Sequence, residues 1–158
     1  MKRNMLLSAA LLFCALVYSQ VPDFTGSWKL NNSKSRLHYE FTMAPGEIII
    51  VQNGNGMTVE KHSEFQGEKF VFNDKFTLDG KECINRGWQD TEKKSTATWS
   101  DDKKTLSIST SIIMEDGGEI RIIELYSMKE KNMVIDFNSS SPFGDISETM
   151  VYDRQIIN

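Results

Sequence analysis

Cysteine is scarce in this chain of 158 residues: only Cys14 and Cys83 are present, so no framework of cross-links can hold the fold. Histidine is as scarce, with His38 and His62 alone. No H-x-H, H-E-x-x-H or C-x-x-C spacing occurs, and a zinc site built from these counts needs distant carboxylates. G-x-S-x-G is absent, and no glycine-rich loop precedes a helical stretch. There are three prolines and no Pro/Ser-rich linker to divide the chain. A basic excess is missing too. Eighteen Lys and Arg stand against 22 Asp and Glu, and the basic residues are scattered among hairpin tips and strand faces, which argues against nucleic acid. What is present, 39% hydrophobic and 25% charged residues, suits one soluble globular domain.

The first residues read as a targeting segment. Lys2 and Arg3 form a basic start, and Met5 to Tyr18 is an uncharged apolar run that Pro22-Asp23 closes before it reaches the about 20 residues of a membrane span. A signal peptide over 1–19 is expected, leaving 20–158 as one domain exported to the periplasm or the medium, without a membrane span. Lipid attachment at Cys14 is disfavoured by Phe13, a ring where that processing wants a small side chain. Removing Lys2 and Arg3 takes the net charge of −4 to −6. Cys83 is then a free thiol, read as a packed core thiol on a strand and not as a nucleophile, since no histidine lies near it in sequence.

The rest of the chain alternates apolar and polar residues between short turn signals, a period of two and not of 3.6. Thr105 to Met114 places Leu106, Ile108, Ile112 and Met114 on one face and Thr105, Ser107, Ser109 and Ser111 on the other. Phe70, Phe72, Phe76 and Leu78 share a face in the same way, as do Met133, Ile135 and Phe137. Asn53-Gly54-Asn55-Gly56, Asp79-Gly80, Asp101-Asp102, Asp116-Gly117-Gly118 and Glu130-Lys131-Asn132 are turn residues. Strands are predicted near 26–31, 47–53, 57–65, 69–78, 82–87, 94–100, 104–114, 119–127, 132–138 and 147–154, consecutive ones as hairpin partners. So long an antiparallel sheet with one apolar face must close or fold over, as an up-and-down barrel or a sandwich.

At the start of this region Phe24-Thr25-Gly26-Ser27-Trp28 resembles the G-x-W opening strand of the lipocalin and calycin superfamily, and Val151-Tyr152-Asp153-Arg154 its closing strand. With Asp23 to Leu37, Thr77 to Glu82 and Lys94 to Ser100, the chain resembles exported lipocalin-like proteins of Bacteroidetes-type bacteria. The resemblance implies an all-β, antiparallel up-and-down barrel of about 8–10 strands in which Arg154 packs across Trp28 and seals one end. The fatty-acid-binding branch of the superfamily also opens with F-x-G-x-W and has ten strands. It places a helical pair after the first strand, for which residues 32–46 are too short.

Candidate site residues are those that break an apolar face. Lys61 shares the face of Met57, Val59 and Phe65, and Asp74 that of Phe70 to Leu78. Two inward charges require partners. They form a salt bridge with each other, anchor a polar ligand head separately, or turn outward through a bulge. Glu124 lies where apolar parity changes from Ile120/Ile122 to Ile123/Leu125, as at a bulge, with Arg121 facing it or facing water. Phe72, Phe76 and Trp99 either fill the core or line a cavity, because a small barrel is just wide enough for either.

Two functions follow from these readings: an exported barrel that binds a small hydrophobic or amphipathic ligand through Lys61, Asp74, Phe72, Phe76, Trp99, Arg121 and Glu124, or a filled, non-catalytic barrel whose loops or outer strands contact another envelope protein or polysaccharide. Neither an enzymatic role nor a cofactor is expected.

Overall fold

The computed structural model describes residues 21–38 and 41–156, so the expected signal peptide over 1–19 lies outside the described residues. Ten strands follow one another: β1 Gly26–Leu30, β2 Glu47–Asn53, β3 Gly56–Phe65, β4 Glu68–Thr77, β5 Cys83–Arg86, β6 Glu92–Trp99, β7 Thr105–Ile113, β8 Glu119–Lys129, β9 Asn132–Ser141 and β10 Gly144–Arg154. Among the described residues the one helical turn is a short 3₁₀ segment, Trp88–Asp90. The predicted strands are all found, with ends moved by a few residues.

All ten belong to one antiparallel sheet in the order β4-β3-β2-β1-β10-β9-β8-β7-β6-β5, so the first strand pairs with the last and the ribbon curls into an almost complete barrel. The turns account for the register. Between Phe65 and Glu68, Gln66 and Gly67 both take positive φ (52° and 80°), the type I′ geometry whose twist matches that of the flanking strands. Residues 31–38 and 41–46 contain a turn and a single bridge from Arg36 to Thr149, and no helix.

One expectation fails: β4 and β5 are consecutive but share no ladder. The four residues of β5 pair only with β6, and side chains close the seam instead. The Asn85 amide accepts from the Lys75 N–H (2.8 Å) and donates to the Lys75 carbonyl (3.1 Å), standing in for a neighbouring peptide group. The thiol of Cys83 accepts from the Thr77 N–H at 3.3 Å, so this half-buried cysteine belongs to the seam and not to the core.

The apolar faces converge inside the barrel, where Trp28, Phe24, Tyr126, Tyr152, Leu106, Ile108 and Ile135 are inaccessible to solvent. At one end Phe24 stacks on Trp99 (centroids 6.0 Å apart) and meets Tyr126 edge-on. The Trp28 indole donates to the Phe24 carbonyl (2.8 Å), and the Arg154 guanidinium lies 4.3 Å over its ring while donating to the Thr25 carbonyl. Gly26, at φ +144°, makes room for this: a Cβ there would lie 2.8 Å from Arg154 Nη1. The seal inferred from Trp28 and Arg154 is thus present in the fold.

A charged chamber beneath an apolar vestibule

Strand alternation sends every second side chain inward. Moving along β3 away from the seal, the inward positions run Met57, Val59, Lys61 and Ser63; along β4, from its far end, they run Phe76, Asp74, Phe72 and Phe70. In β8 Tyr126 gives way to Glu124, in β6 Ala97 to Ser95 and Lys93, in β7 Ile108 to Thr110, and in β10 Met150 to Glu148. Six strands change from apolar to polar at about the same height.

Above that height lies a cavity of about 160 Å³ walled by Lys61, Asp74, Lys93, Thr110, Glu124 and apolar side chains including Phe72, Ile122, Phe137 and Met150. Lys61 Nζ reaches Glu124 Oε1 across the barrel (2.6 Å), and Lys93 Nζ reaches Asp74 Oδ1 across the seam (2.5 Å). All four side chains are at most 16% exposed. Burial alone would lower the Lys61 pKa, but the carboxylates of Glu124 and Asp74 outweigh it and hold the ammonium above its ordinary range. Burial, reinforced by the charge of Glu124, pushes the Tyr126 hydroxyl well above its usual value, so it remains a neutral donor 3.4 Å from Glu124 Oε1. Tyr152 is raised in the same way and donates to the Pro45 carbonyl.

The mouth is apolar. A second cavity of about 540 Å³, open to solvent, is lined by Phe41, Met43, Phe65, Phe70, Phe72 and Trp88 among others, and shares Met43, Ser63 and Phe72 with the chamber below. Trp88 meets Phe70 edge-on (4.6 Å) and stays half exposed, its carbonyl held by the Thr91 hydroxyl. Met43 is positioned from within: Glu148, 2% exposed, accepts from the backbone N–H groups of His38 (2.8 Å) and Met43 (3.0 Å), tying this segment over the barrel.

The structure brings together Lys61, Asp74, Glu124 and Phe72 as predicted, with different partners. Lys61 does not pair with Asp74, because Lys61 stands opposite Phe72 and Asp74 opposite Val59 in the register. β8 has no bulge: its pairing with β7 and β9 is continuous, so Ile123 and Leu125 face outward. Arg121 therefore points outward as well, 73% exposed and bound to Glu119. Phe76 is buried in the core below the chamber, and Trp99 belongs to the sealed end. Lys93 and Glu148 were missed. The alternation Lys93, Ser95, Ala97, Trp99 reveals the first once β6 is started two residues earlier, and Glu148 keeps step with Met150 and Tyr152. His62 faces away from the interior and pairs with Glu60. Among the described residues no group of three His, Cys, Asp or Glu is arranged to hold a metal ion.

No protein-family model and no curated protein sequence matches this chain. Solved structures do. A zebrafish ileal bile acid-binding protein complexed with cholic acid superposes with a TM-score of 0.57 at 15% identity, over 84% of this chain and 98% of its own. Fatty-acid-binding protein 1 of Echinococcus granulosus gives 0.57 at 12% identity over 84% and 98%. Lipid binding protein 8 of Caenorhabditis elegans gives 0.58 at 10% identity over 84% and 95%. The shared property is the fold, an all-β antiparallel barrel.

Proposed function

We propose that this protein is an exported carrier that holds a small amphipathic molecule in its barrel, polar end inward, without acting on it chemically. The observation that carries this reading is the make-up of the interior, a small, largely apolar cavity with four buried charged side chains in its wall that shares Met43, Ser63 and Phe72 with a larger apolar cavity at the mouth. Small-molecule sites are usually about 300–1,000 Å³ and mostly apolar, with a few polar groups that fix orientation. The vestibule falls in that range, whereas the chamber is close to the about 150 Å³ that admits a benzene-sized group. A head group below and an apolar body above match these sizes. The named ligands of the structural relatives, a bile acid and fatty acids, are amphipathic in this sense. Export rests on the basic start and apolar run of residues 2–18.

The test is extraction. The protein is purified from a native-like host, denatured and extracted with organic solvent, and the extract analysed by mass spectrometry. One amphipathic species near one per chain is the expected result, together with an intact mass showing cleavage after Ser19. An empty protein that also fails to bind lipophilic fluorescent probes would overturn the carrier reading in favour of a filled barrel recognised by an envelope partner.

A further inference from the structure

Resting on that carrier reading, we propose that the head group received by the chamber is uncharged, an alcohol or amide that both donates and accepts hydrogen bonds, and not a carboxylate.

The argument is one of charge balance. Both buried ammonium groups already have a carboxylate: Lys61 has Glu124 at 2.6 Å and Lys93 has Asp74 at 2.5 Å. The third buried carboxylate, Glu148, is occupied by two backbone N–H groups. Among the described residues the interior thus holds two cations against three anions before any ligand arrives. A ligand carboxylate would add a fourth buried anion to this excess of negative charge, and any ammonium it drew away would leave Glu124 or Asp74 buried without its cation, the costly way to break such a pair. An ammonium head would be a third buried cation beside two carboxylates that each already hold one, so it gives up its hydration for a shared counter-charge.

A neutral group meets neither obstacle and finds partners ready. Each ammonium has three N–H donors, of which one is engaged by its carboxylate. Among the described residues Glu124 Oε2 and Asp74 Oδ2 accept no hydrogen bond. These free donors and acceptors border one small space, the arrangement a hydroxyl or amide satisfies and a carboxylate, which only accepts, does not.

Three twelve-carbon amphiphiles that differ only at the head test this: 1-dodecanol, dodecanoate and dodecylamine, each used to displace a lipophilic fluorescent probe from the purified protein at about pH 8. Dodecanol is expected to displace it at concentrations at least about tenfold lower than either charged compound. Glu124→Gln, which releases Lys61 from its counter-charge, is expected to improve dodecanoate by about tenfold or more relative to dodecanol. Asp74→Asn does the same for Lys93 and replaces the first variant should that one not fold. Dodecanoate or dodecylamine binding as well as dodecanol would overturn the neutral head while leaving the carrier intact, as would variants that gain nothing for dodecanoate. A protein that binds neither the probe nor any of the three overturns the carrier reading itself.

Discussion

The two ends of this barrel are made from the same strands by the same alternation, yet they solve opposite problems. At the sealed end the inward positions are apolar or aromatic except Gln52, whose amide oxygen accepts from the Phe24 N–H, and the cation there, Arg154, lies at the surface over the Trp28 ring, where it keeps its solvent and its carbonyl. Toward the mouth, one step along each of six strands, the inward positions become Lys61, Asp74, Lys93, Thr110, Glu124 and Glu148. A barrel meant only to be stable has no use for that step, since a buried ion pair does little for stability compared with apolar side chains of the same volume. The difference separates the part of the interior that holds the fold from the part available for a ligand.

The largest effects should come from breaking either end. Trp28→Ala removes a wholly buried indole and should cost about 3–5 kcal/mol in urea unfolding. Lys61→Met alone should cost a similar about 3–5 kcal/mol by stranding Glu124, whereas the double variant Lys61→Met/Glu124→Leu should recover most of the loss and still fail to bind a neutral amphiphile. Recovery of both stability and binding would show that the polar level has no part in recognition. Asn85→Ala opens the seam, and by freeing the Lys75 peptide groups should cost about 1–3 kcal/mol, with faster amide exchange in β4 than in β9.

Alkaline pH sharpens the comparison further. Lys61 is raised above 10.5, and Tyr126 and Tyr152 are raised well above 10.0. For each, the native state holds its proton more tightly than the unfolded chain, so this stability is complete below about pH 10 and fades as pH rises through the native values. Urea midpoints should therefore drop above pH 10, and Tyr126→Phe should flatten part of the drop. The smallest effect belongs to Arg121→Ala, which should change neither the midpoint nor probe binding, because that side chain bonds only Glu119 at the surface.

The strands were legible in the sequence because alternation over four to eleven residues is a repeated signal. Charged residues on an apolar face, Lys61, Asp74 and Glu124, were legible for the same reason. Their partners were not. Which ammonium meets which carboxylate depends on contacts across the barrel and over the seam, and no local pattern encodes a distance between β3 and β8. The parity change around Glu124 misled because Ile123, 44% exposed, is an outward isoleucine that a solvent-facing sheet tolerates. The seam itself was hidden, since the Asp79-Gly80 turn reads like any hairpin until β5 is seen to pair only forward.

The seal also bears on how the molecule comes into being. Arg154 and the Thr25 carbonyl it binds are 129 residues apart, and β1 and β10 zip together only once both are in hand. Eight of the neighbouring ladders can grow from local turns, but this one must bring distant segments together, and such pairings are slow because the chain loses its freedom before the contact rewards it. The ring is therefore expected to close late, which amide-exchange labelling during refolding would show as protection of β1 after β8, and until it does Trp28 has no guanidinium above it and the inner wall stands open to whatever hydrophobic molecule is nearby. A ligand present at that moment has a route inside that the finished barrel offers only through its mouth.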